Sequence, residues 1–453
     1  MRDCVAVLDL GKTNTKVVAF DSAGAVLAEH HKPNASLPPD ADCPYLRLDV
    51  EGAWTFILTS LKEIGALFPI EAISIAAHGA AGVLINDAGV VLPPMDYEFD
   101  GFDGVDGYDT VRPPFDETLS PKLPRGLNLG RQPFYLERKF PAEFARASAF
   151  LAHPQYWAWR LCGVMASEVT SLGAHTDLWN PNEGRLSGLV ERQGWTRLFP
   201  PMRRAWETLG TLRTEVATAT GLNPDVRVVC GAHDSNASLV PHLAARTDPF
   251  TVISTGTWVI VMGVGGKGRL DPKADMLANV DIRGAPVPTA RFMGGREFAE
   301  LAGTEPPPTA EADVAAIVAC GTFALPSFSD QGGPFAGRKG WIEGPAPSTP
   351  AARAALATVY AALMTAHLLD RLEAPGDLIV EGGFNRTPAF ASVLASLLPA
   401  RLVVTAPKSS GAAAGAALLA RCGEPVTPLK CEIARRWAIP GLRQYQERWR
   451  RRL

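Results

Sequence analysis

The chain has 453 residues, enough for two or three domains with cores of their own. At 47% hydrophobic and 20% charged residues it reads as an ordinary soluble globular protein that needs no disulfide or metal for stability. A formal net charge of -3 gives no electrostatic footing for a nucleic-acid partner.

Seven cysteines (Cys4, Cys43, Cys162, Cys230, Cys320, Cys422, Cys431) contain no Cys-x-x-Cys pair, so zinc and redox motifs have no support. The one dense basic run, Arg448-Trp449-Arg450-Arg451-Arg452, reads as a solvated, fraying helix end. The first strand begins almost at the N-terminus, without a leader pattern, and no apolar run of transmembrane length is free of charge and turn residues. The expected location is cytoplasmic.

In chain order, residues 4–10 form a strand buried on both faces, Val17–Asp21 a second and Ala25–His30 a third. Residues 33–44 are a loop, and Val50–Leu67 fits an amphipathic helix. Ile73–Ala77 is a buried strand ending at His78-Gly79. Gly82–Asn86 and Gly89–Leu92 form a hairpin. From about 96 to 135 the chain is aromatic, acidic and rich in Pro and Gly, with Asp96, Tyr97, Glu98, Asp100, Asp103, Asp106 and Asp109. This predicts a long surface insertion.

Residues 141–161 look helical. Val226–Gly231 is a strand ending at His233-Asp234, and 244–249 is the expected hinge. Beyond it, Thr349 caps a helix with Pro350 at its first position, running to about Glu373. Leu378–Glu381 and Arg401–Thr405 are strands. Thr387-Pro388 caps another helix, and Ser409-Ser410-Gly411-Ala412 opens a small-residue helix to Ala420. The alternation is α/β, in two domains, 1–245 and 246–453.

Two segments have the same plan: apolar strand, Gly/Thr turn, apolar strand. They are Val5–Phe20, turning at Gly11-Lys12-Thr13-Asn14, and Thr251–Met262, turning at Ser254-Thr255-Gly256-Thr257. Small and hydroxylated turn residues let N–H groups and hydroxyls converge on an anion, so a hairpin in each half suggests a polyphosphate site. Asp9, before the first turn, either holds Mg²⁺ or caps turn N–H groups, and Lys16 either neutralises phosphate or faces solvent. Asp234 at a strand end is either a general base for a substrate hydroxyl or an N-cap. His233 and the His78-Gly79 turn either touch a sugar or serve structure. In Glu381-Gly382-Gly383-Phe384-Asn385-Arg386, paired glycines allow a flat ring to approach backbone, and Gly411-Ala412 starts a helix suited to phosphate.

This order of features resembles the FGGY family of carbohydrate kinases over most of the chain. Asp9–Lys16 looks like the family's first phosphate motif, Ser254–Thr257 like the second, and Glu381–Arg386 like its adenosine motif. Pro154–Gly163 is similar to a segment usually ending Trp-Arg-Leu-Thr-Gly. The resemblance implies two ribonuclease H-like (actin-like ATPase) domains with a nucleotide and sugar cleft between them, ATP and Mg²⁺ as cofactors, and Asp234 as catalytic aspartate. It places Gly11, Lys12, Thr13, Asn14, Lys16, Ser254, Thr255, Gly256, Thr257, Gly382, Gly383, Asn385, Gly411 and Ala412 on the nucleotide, and Asp9 on the metal. His78, Gly79, Asp96, Glu98 and His233 fall to the sugar, beside Asp234.

Departures bear on the substrate. Lys12 and Asn14 replace common Thr and Ser, and Met95-Asp96-Tyr97-Glu98-Phe99 stands for the usual Trp-x-Asp-x-Arg. His233-Asp234 is similar to rhamnulose kinases, and Asn279-Val280-Asp281 through Arg291–Glu297 to fuculose-type kinases. The implied substrate is an L-fuculose or L-rhamnulose class ketose, in a protein with no nucleic-acid or membrane partner and the homodimerisation common among relatives. The alternatives are a silent sugar- or nucleotide-binding protein and a sugar-independent ATPase of actin or Hsp70 type. A dinucleotide oxidoreductase lacks its first-strand Gly-x-Gly-x-x-Gly.

Overall fold

The computed structural model describes residues 3–104, 107–303, 305–407, 411–425 and 429–453. Asp106, Ser409 and Ser410 lie outside the described residues. The chain divides into two compact units. One comprises 1–245, 278–286 and 409–428; the other 246–277, 287–408 and 429–453.

In the first unit, β1 (Cys4–Leu10) and β2 (Asn14–Phe20) pair antiparallel, and the Gly11 N–H donates to Asn14 O at 2.9 Å to close the turn. β3 (Val26–Pro33) follows antiparallel on β2. On the other side of β1, β4 (Ile70–Ala77) runs parallel. β5 (Thr208–Thr211), β6 (Arg227–Val229) and the short β7 (Ala232–His233) complete the sheet, with β6 and β7 both parallel to β4. β1 is apolar at every position but Asp9 because both of its faces are covered. Ala6, Leu8 and Leu10 pack with Ile57, Leu61 and Ile64 of the helix Val50–Leu67, capped by Asp49. Each of those three helix side chains is wholly buried, contributing about 1.5–3 kcal/mol. Val5 and Val7 meet Ala416, Leu419 and Ala420 of the helix Ala412–Ala420 on the opposite face.

The second unit repeats the plan. β8 (Phe250–Thr255) and β9 (Val259–Val264) form the second hairpin, and β10 (Pro286–Phe292) lies antiparallel on β9. β11 (Asp377–Gly382) is parallel to β8, and β12 (Val403–Thr405) is parallel to β11. The orders β3-β2-β1-β4-β6 and β10-β9-β8-β11-β12 share both sequence and direction. The two related hairpins therefore occupy the same central place in two related sheets, in a mixed α/β fold of two units. The helix Pro350–Arg371 is buried along most of its length in the second core. By length and composition it is also apolar enough to cross a membrane, but it carries Arg353, Asp370 and Arg371 and 83% of the span is buried inside the protein.

Three expectations are corrected. Residues 96–135 are not a surface insertion: Tyr108, Leu129, Phe134 and Tyr135 are buried in one cluster. Beside them, Arg112 Nη2 donates to buried Asp177 Oδ1 at 2.9 Å, and Tyr108 Oη donates to Asp177 Oδ2 at 2.9 Å. Residues 141–161 are interrupted by a strand, Ala149–Ala152, paired with Gly82–Asn86. The C-terminal basic run does not fray. Trp449 is wholly buried with Nε1 donating to Ala324 O at 2.8 Å, and Arg452 pairs with Glu343 at 2.8 Å.

Candidate active site

Parallel strands that end at the same level bring their last residues together. In the first sheet Asp9, Ala76 and Ala232 share one register row; Leu10, Ala77 and His233 share the next. Asp9, His78 and Asp234 thus meet at the ends of β1, β4 and β7, although 225 residues separate the two aspartates. Asp9 stands opposite Lys16 in the hairpin. Burial, and then the charge of Asp234, push the Asp9 carboxyl up to about 6, with Lys16 opposing the shift. Lys16 also pairs with Glu29 at 3.6 Å.

Asp234 opens a one-turn helix, Asp234–Ala237. Its Oδ1 accepts from the Ser235 N–H at 2.6 Å and Ser235 Oγ at 3.3 Å. His233 Nε2 lies 3.3 Å from the same oxygen. The carboxylate is partly open to solvent, at 27% exposure. His233 itself is buried and lies over Gly79, where a Cβ would come within 2.7 Å of Nε2. His78 Nδ1 donates to Gly79 O at 2.8 Å, and its ring centre lies 4.4 Å from that of His153.

Lys12 does not face outward from the hairpin as a free phosphate ligand. Its ammonium is taken by buried Asp96 and by Glu98 Oε2 at 3.2 Å, and lies 5.1 Å from the Tyr97 ring centre. Ser36 Oγ also donates to Asp96. Burial would raise the Asp96 carboxyl, but the hydrogen bonds from Lys12, Ser36 and the Glu98 N–H outweigh it and hold the group below its ordinary value. The first hairpin is thereby tied to segment 95–99. A small cavity beneath it is lined by Gly11, Lys12, Ser36, His78, Asp96 and His153. Thr13 is exposed, and its Oγ1 accepts from Asn14 Nδ2 at 3.2 Å.

In the second unit a pocket of about 580 Å³, ample for a nucleoside, is lined by Gly256, Thr257, Arg296, Phe298, Gly383 and Phe384. The register Ser254↔Glu381 and Thr255↔Gly382 brings the second turn and the Gly-Gly turn side by side. Gly382 has φ +87°, and a Cβ there would lie 2.1 Å from Thr255 O, so only glycine permits this approach. The Thr255 hydroxyl fastens the two turns: it donates to Glu381 O at 2.5 Å and accepts from the Phe384 N–H at 3.0 Å. Asn385 does not face the pocket; its amide donates to Val380 O at 2.7 Å and Ala406 O at 3.2 Å. Gly411 and Ala412 are counted with the first unit. Phe298 and Phe384, with ring centres 5.3 Å apart, line the pocket but were given no role from sequence. An aromatic residue in an apolar helix looks like core until its partner is known.

Among the described residues no group of three or more His, Cys, Asp or Glu side chains could hold a metal. Asp9 and Asp234 are a pair of carboxylates with Lys16 as counter-charge, a donor set suited to a hard cation that keeps its waters.

Comparison with known proteins accounts for both halves. Residues 134–241 match the N-terminal domain of the FGGY family of carbohydrate kinases, and 247–428 match the carbohydrate kinase FGGY C-terminal domain. A carbohydrate kinase from Novosphingobium aromaticivorans is 35% identical, with a TM-score of 0.91 over 100% of this chain and 98% of that one. The chain belongs to the FGGY family of carbohydrate kinases. FGGY kinases are phosphotransferases with an alcohol group as acceptor. This FGGY chain is 27% identical to the L-fuculokinase of Haemophilus influenzae over 275 residues, 56% of each protein. It is 25% identical to the rhamnulokinase of Halalkalibacterium halodurans over 137 residues, 29% of this chain and 27% of that one. It thus spans just over half the length of the curated fuculokinases it matches. The xylulose kinase from Rhodospirillum rubrum, 20% identical with a TM-score of 0.79 over 99% of this chain and 97% of that one, shares the fold.

Proposed function

We propose that this FGGY protein transfers the γ-phosphoryl group of ATP to a hydroxyl of a ketose or deoxyketose, of the L-fuculose or L-rhamnulose class. The observation that carries the reading is the state of Asp234. Its Oδ1 is occupied by Ser235 and faced by His233, while Oδ2 has no partner among the described residues and is available to take a proton. The first unit would hold the sugar and the second the nucleotide. The substrate oxygen attacks the γ-phosphorus, the bond from phosphorus to the ADP oxygen breaks, and the hydroxyl proton passes to Asp234 Oδ2. Asp96, Glu98 and His78 would orient the sugar. Asp9 would hold Mg²⁺, directly or through water, and the ion would supply charge neutralisation at the phosphates. Thr257 and the glycine turns would cradle phosphates, and Phe298 with Phe384 would flank the base.

The deciding experiment is sugar-dependent ADP release with Mg-ATP across ketoses, deoxyketoses, tetritols, pentitols and glycerol. A large increase with one sugar supports the reading and identifies its class. High hydrolysis that no sugar changes supports the ATPase alternative, and ATP binding with no release supports a silent binding protein. The nucleotide assignment has its own test. Phe384→Ala is expected to weaken ADP binding about 10-fold by titration calorimetry, the order expected for losing one ring–base stack. Sugar KM should be unaffected.

A further inference from the structure

His233 was expected at the sugar, yet its ring is built into the fold. It is buried, its Nδ1 has no hydrogen-bond partner among the described residues, and its Nε2 lies against Gly79 and 3.3 Å from Asp234 Oδ1. Nε2 is the ring nitrogen that faces the carboxylate, at contact distance rather than in an aligned hydrogen bond. Its backbone is held as firmly. The His233 N–H donates to Thr170 Oγ1 at 3.0 Å, and that hydroxyl donates to buried Glu168 Oε2 at 2.6 Å. Asn236 Nδ2 donates to Thr170 O at 3.2 Å on the far side of Asp234.

We infer that His233 is a positioning residue that works through Asp234. Its imidazole, seated on Gly79, and the Ser235 N–H hold Oδ1 from two sides, so that Oδ2 is the oxygen presented to the substrate hydroxyl. The absence of a side chain at residue 79 is part of the device, because a methyl there would displace the ring. The inference rests on Asp234 being the base.

The test is steady-state kinetics with the sugar that the panel identifies. His233→Ala is expected to lower kcat about 10- to 100-fold, the order that misplacing a reacting group costs, with KM for sugar and ATP within about 3-fold of wild type. His233→Gln, whose amide nitrogen reaches nearly as far as Nε2, should recover most of the loss. Gly79→Ala should reproduce the loss with the imidazole retained. In an Asp234→Asn background, His233→Ala should have no further effect, because the two residues act as a unit. A raised sugar KM with unchanged kcat would make His233 a substrate contact and overturn the inference. So would Gln performing no better than Ala, or full additivity with Asp234→Asn. Turnover retained in Asp234→Asn alone defeats the base assignment itself, a separate failure.

Discussion

Asp234→Asn is expected to lower kcat by about 10²- to 10⁴-fold, the contribution of a positioned general base. The amide keeps the shape of the carboxylate and can still accept from the Ser235 N–H through its oxygen, so the helix start at Asp234–Ala237 should persist. Binding of ADP, proposed for the second unit's pocket, should change little. Single-turnover measurements with pre-bound Mg-ATP and sugar check this directly, because they separate chemistry from binding. A variant that keeps its turnover would reduce Asp234 to a helix cap. One that loses turnover and nucleotide binding together would point to a collapsed fold.

Asp9→Asn should abolish most Mg²⁺-dependent turnover and at the same time stabilise the protein at neutral pH. The sign follows from the direction of the shift. The folded-state carboxyl is raised from 3.8 to about 6, so the folded chain holds its proton more tightly than the unfolded chain. This group's stability contribution is therefore fully present below pH 3.8 and is lost as pH rises through 6. Above that, the buried charge near Asp234 costs up to about 3 kcal/mol, at 1.36 kcal/mol per pKa unit. Asparagine removes the titration. The variant's advantage in Tm should be absent near pH 4, grow across pH 4–6 and be largest at about pH 7–8. Mg²⁺ should raise the Tm of the wild type and not that of the variant, since a ligand stabilises only the state that binds it. A variant less stable at pH 8 than the wild type would mean that Asp9 is a satisfied turn cap.

The hairpins were legible because each is a run of apolar residues broken by Gly and Thr. The repeat of topology between the units was less so: β6 and β12 are short, and only pairing reveals the shared order. Segment 96–135 misled because Pro, Gly and Asp have loop composition, while the groups that satisfy it come from elsewhere. Arg112 and Tyr108 meet Asp177, and Asn128 Nδ2 donates to His175 O at 3.1 Å. At the site, Asp9 and Asp234 were readable as carboxylates at strand ends. The partner of Lys12 was not, since Asp96 lies 84 residues away and a lysine in a Gly/Thr turn looks made for phosphate. Nor does any local pattern show that Asn385 spends its amide on two carbonyls.

The helix Ala412–Ala420 covers one face of the sheet that begins at Cys4. A ribosome that has made residues 1–245 has thus made a sheet with Val5, Val7 and Val18 still open to water. Nearly the whole second unit must follow before the cover arrives. A fragment ending at 245 would expose that apolar face and aggregate, and the nascent chain must keep it from other chains for more than 150 residues of synthesis. The two sheets look like copies of one design, but the first half of the gene does not encode a finished product: its sheet is completed by segments that lie within the second.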